Sequence, residues 1–536
     1  MRTELSAMGR RNPTFSNGVF KLVRCCWGRM FSAAMIAGVC LVGLPHPSMA
    51  EESSKRGMST EGEVEPETIR LTVHPKGAPV PDLRIRLVPD AAEQLDGNSA
   101  IYYLKAMGFF EQDVNRDRLR ELIKKGAEDA KLANREPSEF PPHSYLELRP
   151  SDYPKEEVSD YLNLLRFQVP ILREARRCRD FSMDRNIHLS DNPLGYVLSE
   201  IQSLRALARN QRIRCRLAIA EGRVNDAIEV IGQQVSMSRH ISMDDFLVSY
   251  LVGNAVLRLA LDDTLFLLER PDCPNLYWAF AQLPEPLMSM ETCLATERQF
   301  LFLQIPLLKE IDLKPRGAEF WKDFVIDFAN RTREIDEYNN KNDRAIVSRE
   351  LGENRVASIL KEIDLNAEKA KEYLLEREIL TQDNVGNYTK EHWVFLAMKD
   401  LYEVSRDKPL KWLYLPYSVA RERYVQVNEE LKQIRDRFGW FTGIAEGLLP
   451  SIDAFHESVT RTKQRLAMIQ AIEAIRLAGA SSGGKLPESL DSLPVPVPSD
   501  PFTGKSFSYK VEGDVAILAS EFPLRKPVRL EVKFAE

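Results

Sequence analysis

Histidine and cysteine are scarce, with seven of each in 536 residues. No two histidines stand at metal-ligand spacing on a helix, and no C-x-x-C occurs. "HESVT" at His456 opens like a metalloprotease helix but puts Thr460 where the second histidine belongs. No metal site is expected, and each histidine reads as a surface or capping residue. A membrane span needs about 20 apolar residues, and the N-terminal run "MFSAAMIAGVCLVGL" (Met30–Leu44) is shorter. Stripes of Lys and Arg interleaved with aromatics are missing too, and the formal net charge is −6. Nucleic acid is a poor partner on both counts.

The apolar run near the N-terminus has a purpose of its own. Arg24 and Arg29 precede it, Pro45 and Pro47 follow, and Ser48 and Ala50 are small residues ahead of Glu51. These features read as a secretory signal peptide over residues 1–50, cut after Ala50. An uncleaved membrane anchor is the alternative. Val39 before Cys40 does not suit a lipid anchor, and Asn12-Pro13 weakens the twin-arginine signal of Arg10-Arg11. The long basic stretch before Met30 leaves the start codon open. Cleavage removes six basic residues and one acid, leaving 67 basic against 78 acidic and a net charge of −11. The expected location is periplasmic or extracellular, with no stable membrane span after cleavage. Cys178, Cys215, Cys273 and Cys293 remain. Four cysteines in an oxidising compartment permit two disulfides. Four buried apolar thiols are the favoured alternative, because all sit in helical patterns of a chain large enough to build a core unaided.

Period changes divide the rest. Residues 51–67 are polar and aperiodic and read as a disordered linker. Ile69, Leu71 and Val73 alternate with polar residues, as do Leu83, Ile85 and Leu87, which predicts a short β-hairpin over 68–95. Residues 96–462 read as a helical body of packed hairpins. Asn98 or Ser99 caps its first helix, and Pro170 is expected to kink the helix that opens near Pro154. In 198–241, Ile201, Leu204, Ala208, Cys215 and Ala218 mark one face, and Gly222 suits a left-handed cap. Ala227, Ile228, Ile231 and Val235 mark the returning face. The stretch that follows, from Asp244 to Glu269, is apolar nearly all round and reads as a central core helix. The charge-rich stretch 330–380 reads as long, solvated helix.

Residues 463–536 differ. A helix over 463–478 carries Gln470, Glu473 and Arg476 as its polar stripe. A Pro-rich link follows, then Phe507, Tyr509 and Val511, a turn at Gly513, Val515, Ile517 and Ala519, and finally Val528, Leu530, Val532 and Phe534. One-sided alternation predicts an antiparallel sheet with one wet face, covered on the other by that helix. The N-terminal strands are expected to join this sheet, since two-stranded hairpins alone are marginal. The fold class is thus predominantly α, with a small α+β end.

Between helix and link lies "GASSGGKL" (Gly479–Leu486), which fits G-x-S-x-G, S-x-x-K and most of a phosphate loop. All three motifs need a different setting: a strand before and a helix after, or a serine buried at a helix start. Ser481, Ser482 and Lys485 therefore read as an inert loop. Asp244-Asp245 and Asp262-Asp263 read as capping or solvated positions, since adjacent residues do not face each other on a helix. Neither catalytic nor cofactor-binding residues are assigned.

The C-terminal order of helix, "LPESLDSL", Pro-rich link and "DPFTGKSFSYKVEGDVAILAS" resembles the globular end of type II secretion pseudopilins over about 75 residues. The pseudopilin processing signal is missing, so the resemblance does not imply pilus assembly. "LAIAEGRVNDAIEVIGQQV" resembles a tetratricopeptide-type hairpin, without a chain-wide repeat. Taken whole, the mature chain resembles a group of uncharacterised secreted bacterial proteins, a likeness that implies no activity. The expected function is a non-catalytic interaction or structural module of the cell envelope, with an unknown envelope or secreted protein as partner. The alternative is a polysaccharide-acting hydrolase with dispersed acids on a helical scaffold.

Overall fold

The computed structural model describes residues 67–108, 117, 121, 124, 128, 143–186, 193–339, 351–448, 451–520 and 527–535. The expected signal peptide lies outside these residues, as does the expected linker apart from Glu67. The described chain is mostly helix with a small sheet, as its periodicity predicts. It opens with β1 (Glu67–Val73). The second predicted strand, over 82–88, does not form: Asp82–Arg84 is a single 3-10 turn, and Leu87 packs into the core from irregular chain. Prolines at 79, 81 and 89 bound this stretch and deny it ladder donors. Its carbonyls are met by side chains instead, Arg86 by Arg176 at 2.8 Å and Ile85 by Gln282 at 3.4 Å. The predicted hairpin over 68–95 is thus one strand followed by a tethered loop.

A short strand, β2 (Leu95–Asn98), runs into α1 (Ser99–Ala106), whose cap Asn98 accepts from the Ala100 amide. α2 (His143–Glu147), α3 (Lys155–Leu164) and α4 (Gln168–Arg177) follow. The single kinked helix expected from Pro154 is therefore two helices. Pro170 sits in the first turn of α4, where no N–H is required, so the break falls just upstream of it. β3 (Cys178–Asp180) pairs with β2 in parallel. α5 (Pro193–Ala220) and α6 (Val224–Ser242) form the expected hairpin, and Gly222 takes the left-handed cap at φ 73°. The Arg223 amide closes it by donating to the Ala218 carbonyl at 2.8 Å. All nine predicted face residues of this hairpin are buried. Next come α7 (Leu247–Leu268), α8 (Tyr277–Ala281), α9 (Glu291–Gln304), α10 (Ala318–Asn339), α11 (Leu351–Glu376), α12 (Lys390–Leu410), α13 (Tyr417–Leu448) and α14 (Ile452–Ser481). The last is longer at both ends than the helix predicted over 463–478.

The described residues fall into two compact units, 300–409 with 425–448, and 67–299 with 410–424 and 451–535. In the first, Trp321, Phe324 and Phe328 on α10 surround Phe395 on α12, with ring centroids 6.1, 4.8 and 5.1 Å apart. α11 is not solvated all round: it buries Ile363, Ala367, Ala370 and Leu374 along one face.

The second unit holds the sheet, completed by β4 (Ser508–Glu512), β5 (Val515–Ala519) and β6 (Val528–Phe534) in the order β1-β6-β5-β4. β1 joins the C-terminal strands as expected, and its pairing with β6 is parallel, from Glu67 opposite Val528 to Val73 opposite Phe534. The β4–β5 turn corrects the predicted face of β5. Glu512 pairs with Val515 across Gly513-Asp514, so Ala516 and Leu518 share a face with Leu530 and Val532. Ile517 lies between Lys510 and Glu531 and is still buried, so the second face is partly covered.

Glu473 and Arg476 overturn a further expectation. The helical pattern puts both on the polar stripe of the helix, yet both side chains are fully buried, 2.8 Å apart. Arg476 donates Nε to the His74 carbonyl at 2.9 Å, and its terminal nitrogens to Cys273 and Pro274 carbonyls at 2.8 and 3.3 Å. Glu473 Oε2 accepts from the Leu276 amide at 3.0 Å. The arrangement ties together the exit of β1, the loop before α8, and α14. Arg476→Met strands a buried carboxylate and three carbonyls, and should cost about 3–5 kcal/mol of unfolding free energy in urea titration. A cost below about 1 kcal/mol would show the linkage to be dispensable.

Candidate functional site

The motif-rich loop closes α14 and does little else. The Gly484 amide donates to the Gly479 carbonyl at 2.8 Å, and Gly483 and Gly484 take φ of 67° and 85°, as a helix C-cap requires. Ser481 Oγ donates to the Ala478 carbonyl at 3.0 Å and Ser482 Oγ to the Lys485 carbonyl at 2.8 Å. Both hydroxyls are therefore spent on backbone, with no histidine or acid beside them among these bonds. Gly479 is fixed by packing: an added Cβ would lie 2.4 Å from the Phe534 ring of β6. Replacing Ser481, Ser482 and Lys485 together by Ala should move stability by no more than about 0.5 kcal/mol. Gly479→Ala alone should cost about 1–3 kcal/mol by overpacking. Thermal melts of the two variants check the contrast, and labelling of either serine by an acylating probe would overturn it.

The acidic pairs are not solvated caps. Asp263 is fully buried against Arg216 at 2.8 Å, and Arg216 also donates to the Leu146 and Leu148 carbonyls at 2.7 Å. Burial pushes the Asp263 carboxyl up, against the pull of Arg212 and Arg216. Asp244 is buried in an ion pair with Arg185 and accepts from Ser249. Burial also pushes up the half-buried Asp245, helped by Asp244 next to it. The four thiols expected to be buried or bridged are free and buried, and burial raises the pKa of each.

Three of the histidines expected at surface or capping positions, His240, His392 and His456, are buried. His240 Nε2 bonds the Cys178 carbonyl at 2.9 Å, which fixes the proton there, so Nδ1 accepts from the Tyr103 hydroxyl at 2.8 Å. His456 shares a 3.0 Å bond with the Tyr424 hydroxyl. His392 donates to the Asp312 carbonyl at 2.8 Å. His188 lies outside the described residues. Among the described residues no group of His, Cys, Asp or Glu could hold a metal ion. Burial holds the His240 and His456 imidazoles down at about 4. An unfolded histidine titrates near 6.5, so the unfolded chain takes up protons first as pH falls. The stability present above about pH 6.5 is then lost progressively down to about pH 4, by about 3 kcal/mol for His240 alone. Urea unfolding at about pH 7.5 and about pH 4.5 should show this fall, reduced by a similar amount in His240→Gln. An unchanged pH slope in the variant would refute the assignment.

One open cavity gathers groups that the fold leaves unused. It has a volume of about 200 Å³ and lies between α7 and α14, rimmed by the loops around Glu285 and Ser499. Tyr250, Asn254 and Leu257 present one face of α7, at spacings of four and three. Val459, Thr462, Lys463, Leu466, Ala467 and Gln470 present the facing stripe of α14. Leu287 and Met288 complete an apolar wall. Asn254 is 5% exposed; its amide nitrogen reaches the Ser458 carbonyl and hydroxyl, both at 3.4 Å, and Oδ1 has no partner among the described residues. The Tyr250 hydroxyl, on a residue 1% exposed, has no hydrogen bond among the described residues. At the rim, Glu285 and Lys463 are exposed and carry no ion pair among the described residues. None of these residues was singled out from the sequence except Gln470. The available signal was Asn254, a lone carboxamide in an apolar run, four residues after a tyrosine.

Compared with protein-family models, curated proteins and solved structures, the chain matches none. Among the described residues no helix is long and apolar enough to cross a membrane.

Proposed function

We propose that this protein is an exported, non-catalytic binding module of the cell envelope, and that the cavity between α7 and α14 seats part of its partner. The observation that carries the reading is the lining: apolar walls, the Asn254 and Tyr250 polar atoms without partners among the described residues, and a polar rim with Glu285 as its one carboxylate. Sites that bind by shape and a few placed hydrogen bonds have this composition. Export rests on the N-terminal segment ending at Ala50, and the likeness to secreted proteins and to the pseudopilin end agrees with it. The tetratricopeptide-like hairpin points the same way, since stacked helical hairpins offer surfaces for peptides. A mature charge of −11 favours a partner that is basic or held by apolar contacts.

The hydrolase alternative calls for acids in an open cleft, one of them with a raised pKa. Asp244, Asp263 and Glu473 are instead buried and each paired with an arginine. The purified protein should turn over no polysaccharide, peptide or ester. A photocrosslinking amino acid at Lys463 should trap one defined envelope protein in intact cells, and the same group at Lys432 on α13 should not. Turnover that disappears on changing a single buried Asp or Glu would replace this reading with the hydrolase.

A further inference from the structure

We propose that the cavity between α7 and α14 is an anchor pocket for a tyrosine or tryptophan side chain of the partner, an aromatic ring with a hydrogen-bond donor at its tip. This rests on the binding reading above and narrows it to one chemistry. Size is the first argument. An apolar cavity of roughly 150 Å³ takes up a benzene ring, and this one, at about 200 Å³, has room for a phenol or an indole. The walls are the second. Leu257, Leu287, Met288 and Leu466 offer aliphatic surface and a thioether, which pack well on ring faces and edges.

The floor decides between occupants. The Ser458 carbonyl and hydroxyl face the nitrogen of the Asn254 amide at 3.4 Å, so among the described residues Oδ1 is an acceptor in want of a donor. The Tyr250 hydroxyl stands one turn away on the same face of α7. An aliphatic side chain or phenylalanine would strip water from both groups and leave them unpaired, which lowers affinity. A phenol O–H or an indole N–H supplies the missing donor. Opposite charges at the rim, Glu285 and Lys463, single out neither an anion nor a cation, which suits a neutral tip. Ser499 and Gln470 also line the cavity and can bond a peptide main chain, which suits a ring carried on a polypeptide. Tyrosine and tryptophan dominate such anchors because they combine area with a polar tip and few rotors.

Calorimetric titration of the full mature protein with p-cresol, indole and toluene tests the floor without any mutation. The phenol and the indole should bind about tenfold tighter than toluene. Asn254→Leu should erase that preference, and Ala467→Trp, which fills the cavity, should abolish binding of all three. Peptides selected on the protein from a random library should be enriched in Tyr or Trp and be displaced by p-cresol. Equal binding of toluene and p-cresol overturns the donor-tip assignment, even where crosslinking at Lys463 still traps a partner and the binding reading stands. Ring selectivity without any selected peptide overturns the partner side chain in favour of a free phenol or indole. Selected peptides anchored by Leu or Phe overturn it as well.

Discussion

The buried contact between Glu473 and Arg476 is the constraint on which the second unit depends. Two charges withdrawn from water cost several kcal/mol each, and their attraction offsets that only when the remaining donors and acceptors are filled. Here they are filled by backbone from two distant parts of the chain: the His74 carbonyl at the end of β1, and the Cys273–Leu276 loop ahead of α8. The polypeptide answers in kind. The Lys76 amide donates to the Arg476 carbonyl at 3.1 Å, and Asn275 Nδ2 donates to the Glu473 carbonyl at 2.9 Å. The pair can therefore be buried only when the N-terminal strand and the C-terminal helix are already together. The parallel pairing of β1 with β6 meets the same condition, since no local hairpin can produce it.

Arginine plays this part elsewhere in the unit, and for the same reason. Segments without a ladder or helix still carry carbonyls, and a buried carbonyl needs a donor. Arg176 serves the irregular stretch at Arg86, and Arg216 serves Leu146 and Leu148 while facing Asp263. A guanidinium fork reaches several acceptors at once, which a lysine ammonium on a flexible stem does less well. The carboxylates beside Arg216 and Arg476 then balance charge, and need not mark catalysis.

That use of charge explains what could be read in advance. The helical periods, the Gly222 cap and the Gly513 turn are local, and local chemistry settles them. Burial of Glu473, Arg476, Asp263 and His240 is not local. Each sits at a position whose residue type suggests solvent, and each is inside because a group distant in sequence meets it: the Leu276 amide for Glu473, the Arg216 guanidinium for Asp263, backbone carbonyls for Arg476, and a carbonyl and a hydroxyl for His240. The face of β5 failed for a smaller reason: a two-residue turn fixes which residues pair, and Val515 to Ala519 are apolar on both faces, so alternation gave no warning. The cavity was illegible because its lining is divided among two helices and two loops far apart in sequence.

Unpartnered buried polar atoms do not by themselves mark a site. Gln234 is fully buried, and neither atom of its amide has a partner among the described residues. What separates Asn254 and Tyr250 from Gln234 is access. They stand one turn apart on a helix that faces an open space with apolar walls, where an occupant can reach them. A defect of packing would leave a dry void lined by methyl groups, and a solvated groove would be polar throughout. Apolar walls combined with an unanswered acceptor describe neither, and the group that completes them must bring both a hydrophobic body and a donor.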